Sequence, residues 1–227
     1  MAAPPASPRS NPAQGTEQAA KPVPGWLAAI ERRLWIVTYR AESQRDAGGK
    51  FMQAHLGPDS FEPRRNDFKA NLPAGIKAAR EKYPKCGFRA GHLLNRNLGG
   101  NGKNPRNFTI LRASAYVALL KRENAIARAC RHLREMYEVL ALKGPLVSDV
   151  SCCIAVRVTV GRAKWGDEAP DSLIAQRVTI VASVLREPEL AKLIHDPKRL
   201  ADATGALRRV KTEVGKANGV VVNKKPA

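Results

Sequence analysis

The chain has 227 residues, with 39 Lys and Arg against 20 Asp and Glu, so its formal net charge is +19. A chain of this length can bury a core of its own, and so large a positive excess indicates a polyanionic partner, either nucleic acid or an anionic membrane surface. Aromatic residues make up only 5% of the chain, which argues against a base-stacking platform, and no apolar run reaches the roughly 20 residues of a membrane span, which argues against membrane insertion.

Residues 1–25 are rich in Pro, Ala and small polar residues. Such a composition cannot bury enough apolar surface to fold, so we predict a disordered arm there. The arm also lacks the continuous apolar stretch of a secretory signal peptide, so we expect a cytoplasmic site of synthesis and, for any export, a dedicated secretion or injection apparatus. The four cysteines form no Cys-x-x-Cys pair and are expected to be reduced thiols.

Between this arm and a basic, flexible tail at 216–227, the apolar pattern predicts one domain over residues 26–215. Its first half contains short elements in the order helix 26–30, strand 34–39, helix 66–82, strand 88–94, Gly- and Asn-rich loop 95–106 and strand 107–111. Its second half contains the longest helical pattern, two alternating strands and a broken helix, at 115–143, 153–161, 177–185 and 187–214. This succession predicts an α+β fold.

The segment with the most chemical information is 89–115, where a strand ends at Gly91 and His92 and a Gly- and Asn-rich loop leads to a second strand and a helix. An imidazole with a pKa of about 6.5 can take a proton from water at neutral pH, so His92 is a candidate general base. Gly91 is expected to let a backbone or a phosphate approach closely. Amide oxygens of the loop suit a hard cation such as Mg²⁺, and its Arg and Lys residues suit phosphate.

These residue types indicate phosphodiester hydrolysis. Two ordinary alternatives remain open at this point. Asn and Gly are also the residues of any tight loop, because they tolerate left-handed backbone angles, and a histidine beside such a loop is often structural.

The pattern G-H-L-L-N-x-N-L-G-G, followed after a short loop by N-[apolar]-T-[apolar]-L-x-x-S-A, resembles the DNA/RNA non-specific endonuclease family. That family belongs to the ββα-metal, or His–Me finger, nucleases, and its Gly-His-Leu-Leu-Asn subgroup occurs as toxin domains in bacterial polymorphic-toxin and injection systems. The resemblance covers roughly residues 85–140. It implies a strand–loop–strand–helix finger packed on a small antiparallel sheet, a metal-dependent endonuclease acting on DNA or RNA, and, for a toxin effector, an immunity protein or a delivery apparatus as partner.

The resemblance also implies roles for individual residues. His92 matches the base that deprotonates the attacking water, and Mg²⁺ or Mn²⁺ is the expected cofactor. In relatives the metal-binding Asn directly follows the Ser-Ala step of the helix, but this chain has Tyr116 there. A phenol with a pKa of about 10 is a poor Mg²⁺ ligand at neutral pH, so Asn95 and Asn107 are predicted to replace it.

Two positions that are acidic in relatives are basic here, at Arg89 and Arg96. Arg89 is predicted to act with His92 by stabilising charge on the scissile phosphate. The predicted nucleic-acid contacts are the basic residues Arg96, Lys103, Arg106, Arg128 and Arg131. A metal site built from neutral amides beside added Arg would be weak, so the enzyme could instead work without a tightly bound metal, or the scaffold could be a catalytically degenerate nucleic-acid-binding module. A further alternative is an adaptor of a secretion or injection system, with the Pro- and Ala-rich arm at 1–25 as its docking tail.

Overall fold

The structure is a computed structural model that describes residues 36–41, 48–60, 75–141, 150–162 and 168–225, with backbone only for 36–41. The predicted arm at 1–25, the predicted helix at 26–30 and the first part of the predicted helix at 66–82 lie outside these residues.

The described ranges contain seven strands and four helices. In chain order they are β1 (Ile36–Ala41), β2 (Gly49–Leu56), α1 (Gly75–Lys82), β3 (Arg89–His92), β4 (Phe108–Leu111), α2 (Ala113–Ala141), β5 (Cys153–Gly161), β6 (Arg177–Leu185), α3 (Leu190–Leu193), α4 (Pro197–Ala217) and β7 (Gly219–Val222). Single 3-10 turns lie at Pro84–Cys86, Arg96–Leu98, Pro105–Asn107 and Asp171–Leu173. The mixture of helices with antiparallel strands confirms the predicted α+β class.

Five strands form an antiparallel sheet in the order β1-β2-β5-β6-β7. Alternate residues along each strand point to the same face, and one face of this sheet is buried against α2 and α4, which pack along each other. Its buried residues include Met52, Ala54, Leu56, Val156, Val158, Val160, Val178, Ile180 and Val221. The strands predicted at 153–161 and 177–185 are β5 and β6, paired over their whole length.

β3 and β4 form a separate two-stranded antiparallel sheet, in which His92 lies opposite Phe108. One face of this small sheet packs on α2 through Leu111. The other face packs on α1 through Ile110. Because only Arg112 separates the end of β4 from the start of α2, the two-stranded sheet and the helix are held in a fixed relation, and this relation positions the end of β3.

The ends of α4 are both defined by hydrogen bonds. At the start, the carboxylate of Asp196 accepts from the N–H of Arg199 at 2.8 Å, and Pro197 occupies the first turn, where no intrahelical N–H bond is lost. At the end, the guanidinium of Arg122 on α2 donates to the carbonyls of Lys216 and Ala217. A cation is favourable at a helix C-terminus, so Arg122 of α2 stabilises the end of α4.

The prediction of a flexible tail at 216–227 is wrong for its first seven residues. α4 continues to residue 217, and Gly219–Val222 pairs with β6 as the last strand of the sheet. The three consecutive Val residues of this strand favour extended backbone, and Val221 is buried in the core. The side-chain amides of Asn218 and Asn223 hydrogen-bond to backbone groups of neighbouring strands and loops, which fixes the strand at both ends.

β2 is a second strand that the sequence reading did not predict. It pairs with β1 on one side and β5 on the other. In the part of the chain that the structure describes, no helix is both long and apolar enough to cross a membrane.

Candidate active site

His92 is the last residue of β3 and is half-buried against Phe108, with 4.8 Å between the two ring centroids. Burial lowers the pKa of this imidazole below its ordinary value. Among the described residues, neither ring nitrogen of His92 has a hydrogen-bond partner. A neutral ring with an unengaged lone pair is the state in which a histidine accepts a proton from water.

Gly91 does not leave space for a phosphate, contrary to expectation. A Cβ at this position would lie 2.7 Å from Cδ1 of Leu111 and 3.0 Å from Cδ2 of Leu119, so the absent side chain lets α2 pack closely on the small sheet. Since successive residues of a strand point to opposite faces, His92 projects from the face turned away from α2.

Asn side chains build the loop that follows β3. The Oδ1 atoms of Asn95, Asn101 and Asn104 each accept a hydrogen bond from the backbone N–H two residues further on, at 2.9, 2.9 and 3.0 Å. The loop is so tightly folded that a Cβ at Gly100 would lie 1.9 Å from the carbonyl oxygen of Leu94. These amides therefore hold turns in the way that makes Asn common in loops.

Asn107 closes the same loop from inside the protein. Its side chain is fully buried, its Oδ1 accepts from the N–H of Leu94 at 2.9 Å, and its Nδ2 donates to the carbonyl of Leu94 at 2.9 Å. The backbone adds a third bond, from the N–H of Leu93 to the carbonyl of Asn107 at 2.7 Å. An enclosed amide held in both directions offers no open face to a cation.

Glu123 is the site residue that sequence reasoning missed. It lies on α2 with 5% of its surface exposed, and its Oε2 accepts from the Nδ2 of Asn95 at 3.3 Å. Its Oε1 is enclosed and has no hydrogen-bond partner within the described part of the chain. Burial raises the pKa of the Glu123 carboxyl to about 8, against the opposing effect of the Asn95 hydrogen bond, so the group is protonated at neutral pH. The available signal was its spacing, four residues from both Leu119 and Ala127 on the apolar stripe of the helix.

The predicted ligands Asn95 and Asn107 do not form a preformed site for the divalent cation that the resemblance implies. No three His, Cys, Asp or Glu side chains among the described residues are grouped so as to hold a metal ion. Asn107 is enclosed, and the Oδ1 of Asn95 already holds a turn. The unpartnered oxygen of Glu123 belongs to an enclosed carboxyl that is protonated at neutral pH. Tyr116 is half-buried at the start of α2 and packs against the core.

The predicted basic residues fall into separate groups. Arg96, Lys103 and Arg106 all belong to the loop after His92, and the latter two are exposed. Arg89 is exposed at the other end of β3, three residues from His92, so strand alternation directs the two side chains to opposite faces.

Arg128 and Arg131 lie further along α2. The Nε of Arg128 is 2.8 Å from the Oε2 of Glu213 on α4. Although burial raises it, hydrogen bonds from Lys216 and Arg128 hold the pKa of the Glu213 carboxyl below its ordinary value, which marks a formed ion pair. At about 100° per residue, Arg128 is turned by roughly 140° from Glu123 around the helix, so it does not share the side that meets the loop. Arg131 is exposed.

A comparison of the chain with protein-family models, with curated proteins and with solved structures finds no significant match in any of the three. The functional interpretation therefore depends on the residues and their geometry.

Proposed function

We propose that the protein is an endonuclease that hydrolyses phosphodiester bonds of DNA or RNA with little sequence preference, with His92 as its general base. The observation that carries the proposal is the neutral, half-buried imidazole at the end of β3, whose nitrogens are unengaged within the described structure. The succession of β3, loop, β4 and α2 supports it, because this is the strand–loop–strand–helix order that the resemblance implies for a ββα-metal finger.

In the proposed reaction, the unprotonated nitrogen of His92 removes a proton from water while the water oxygen attacks phosphorus. The bond between phosphorus and the sugar oxygen breaks, the leaving oxygen takes up a proton from solvent, and His92 then releases its own proton to solvent. Lys103 and Arg106, exposed on the loop, lower the energy of the transition state by neutralising charge on the phosphate oxygens. The requirement for Mg²⁺ or Mn²⁺ stays a prediction from the resemblance, as do the toxin role, the immunity protein and the delivery apparatus.

The test is cleavage of plasmid DNA and of total RNA by the full chain with Mg²⁺, with Mn²⁺ and with EDTA. We expect His92→Ala to reduce the cleavage rate by at least about 100-fold, which is the usual contribution of a general base. His195→Ala is the matched control, since His195 is an exposed histidine that precedes α4, and it should retain the parent's rate. Cleavage by His92→Ala at the parent's rate would contradict the mechanism.

A nucleic-acid-binding module without turnover is the second candidate. Two observations favour it: Tyr116 replaces the metal-binding Asn of the relatives, and the amide of Asn107 is fully engaged inside the protein. This alternative predicts salt-sensitive retention of DNA or RNA, with no cleavage in Mg²⁺, in Mn²⁺ or in EDTA. The same assay therefore separates the two functions.

A further inference from the structure

The outer edge of β7 carries backbone groups that are not paired by any residue that the structure describes. β7 is the last strand of the five-stranded sheet, and β6 is its neighbour on one side. The N–H of Asn223 donates to the carbonyl of Gln176 at 2.7 Å. Because hydrogen bonding alternates along an antiparallel strand, the N–H and C=O groups of Val220 and Val222 point away from β6. In the described part of the chain these outward groups meet no donor or acceptor, and both side chains are about half exposed, at 48% and 57%.

A groove of about 360 Å³ lies between this edge and α2. Its lining combines small apolar residues with cations: Ala118, Ala125, Val220, Val221, Lys121, Arg122, Arg128 and Lys216. Glu213 is hydrogen-bonded to two of these cations, Arg128 and Lys216, so one negative charge offsets the four positive ones and the groove carries a net charge of +3.

We propose that this edge and groove bind an extended acidic segment of a partner protein by strand addition. The added strand exchanges hydrogen bonds with Val220 and Val222, and its acidic side chains, at alternate positions, all face the groove. Its carboxylates pair with the cations of the groove, Lys121 first, because that lysine is exposed on α2. An exposed strand edge is a template for such pairing.

An acidic protein segment fits the edge and groove better than a second copy of the chain or a nucleic acid does. A second copy of the chain would bring another +3 groove and a net charge of +19, so repulsion opposes pairing of β7 with itself. A nucleic acid would satisfy the cations but has no regular series of peptide donors and acceptors for the strand edge. None of the groove residues belongs to the loop after His92, so the inference stands independently of the proposed function.

The test uses a fluorescein-labelled peptide in which Glu and Val alternate, with binding to the full chain followed by fluorescence anisotropy. Val222→Pro removes one outward N–H and leaves the bonds to β6 intact, as edge strands tolerate proline. We expect it to weaken binding about tenfold, which corresponds to one hydrogen bond. Val222→Thr, which keeps the N–H, should stay within about twofold of the parent, and Lys121→Glu should weaken binding about tenfold.

A second measurement leaves the protein unchanged. The same peptide, N-methylated at alternate residues on one edge, cannot exchange strand hydrogen bonds and is expected to bind at least about tenfold more weakly than the unmodified peptide. Equal binding of the methylated and unmodified peptides would overturn strand addition. Equal or tighter binding of a Lys-Val peptide would overturn the acidic partner.

Single-stranded poly(dT) and sedimentation test the other two occupants. The groove would be a nucleic-acid surface instead if poly(dT) displaced the peptide and bound Val222→Pro and Val222→Thr equally well. In that case Lys121→Glu should bind poly(dT) more weakly. A dimer of the parent that Val222→Pro dissociates would make it a contact between copies. The proposal expects a monomer and no displacement by poly(dT).

Discussion

Asn95 and Glu123 meet with 3.3 Å between Nδ2 and Oε2, and this contact joins the loop after His92 to the long helix α2. The carboxyl is enclosed, and its pKa of about 8 means that it is uncharged when it makes this contact at neutral pH. Ionisation would place a charge in an apolar interior with one neutral hydrogen-bond donor to stabilise it. Ionisation of Glu123 is therefore expected to lower the stability of the fold.

Glu123→Gln should make the free energy of unfolding less dependent on pH. The carboxyl ionises near 4.5 in the unfolded chain and near 8 in the folded one, so between these values the unfolded state loses a proton that the folded state keeps. Stability therefore falls as pH rises through this window, by up to roughly 5 kcal/mol at about 1.4 kcal/mol per pH unit. We expect the Gln variant to match the parent near pH 4 and to be several kcal/mol more stable near pH 8.

The measurement is urea unfolding of parent and variant across this pH range, with the difference between the two as the result, since other carboxyls titrate equally in both. Glu138→Gln is the control, because Glu138 is exposed on the same helix and should give a difference near zero at every pH. A constant difference between Glu123→Gln and the parent from pH 4 to pH 8 would show that the carboxyl is not buried as described.

Asn107→Asp distinguishes a closing amide from a metal ligand. The substitution replaces an N–H donor by an oxygen that faces the carbonyl of Leu94, so it should lower the free energy of unfolding by roughly 2–4 kcal/mol even in EDTA. Asn104→Asp is the control, because the Oδ1 of Asn104 accepts a hydrogen bond from the N–H of Arg106 and a carboxylate oxygen can accept the same bond. It should change the free energy of unfolding by less than about 0.5 kcal/mol. If Mg²⁺ restored the stability of Asn107→Asp to that of the parent, Asn107 would be a cation ligand.

The strongly patterned elements could be predicted from the sequence. β5 and β6 alternate apolar and polar residues over nine positions each, and the structure has them at the predicted bounds. The helix predicted at 115–143 is α2, which begins two residues earlier and continues to the last described residue of this segment, Ala141. In both cases the buried positions recur with the period of the element, two residues for a strand and about 3.6 for a helix, and this periodicity is what the sequence shows.

The two strands that the sequence did not predict, β2 and β7, lack a clear alternation of apolar and polar residues. β2 has Phe51 on the face opposite Met52 and Ala54, so its apolar residues do not alternate cleanly. β7 sits among basic residues, and its place in the sheet depends on bonds from Asn218 and Asn223 to residues far away in sequence. Local composition does not predict hydrogen bonds between residues so far apart in the sequence.

For the candidate site, the sequence predicted that His92 lies at the end of a strand, but it did not predict which groups the neighbouring side chains contact. Residue types show that Asn107 could bind a cation, whereas only packing shows that its amide already pairs with Leu94. The same holds for Glu123, because a glutamate in a helix is usually solvated and its burial arises from the loop that folds over it.

Gly100→Ala and Gly215→Ala should change stability in opposite directions. A Cβ at Gly100 would lie 1.9 Å from the carbonyl oxygen of Leu94, a backbone atom that cannot move away cheaply, so we expect a loss of more than about 2 kcal/mol. A Cβ at Gly215 on α4 would meet nothing within 4 Å, so the better helix propensity of Ala should raise stability by about 1 kcal/mol. Urea denaturation of the three proteins provides the comparison, and a destabilised Gly215→Ala would contradict the described exposure of α4.

Arg106→Ala and Arg128→Ala remove the same single charge, yet only the first should weaken nucleic-acid binding through a lost phosphate contact. Arg106 is exposed on the loop after His92, whereas Arg128 pairs with Glu213 at 2.8 Å and is turned away from that loop. We expect Arg106→Ala to make the slope of log affinity against log salt shallower by about 0.7, the contribution of one phosphate contact on a single strand. Arg128→Ala should leave the slope unchanged. The measurement is anisotropy of labelled single-stranded DNA over a series of NaCl concentrations. Since the two variants have the same net charge, a general loss of electrostatic attraction would change both slopes equally, and that result would contradict a binding surface centred on the loop.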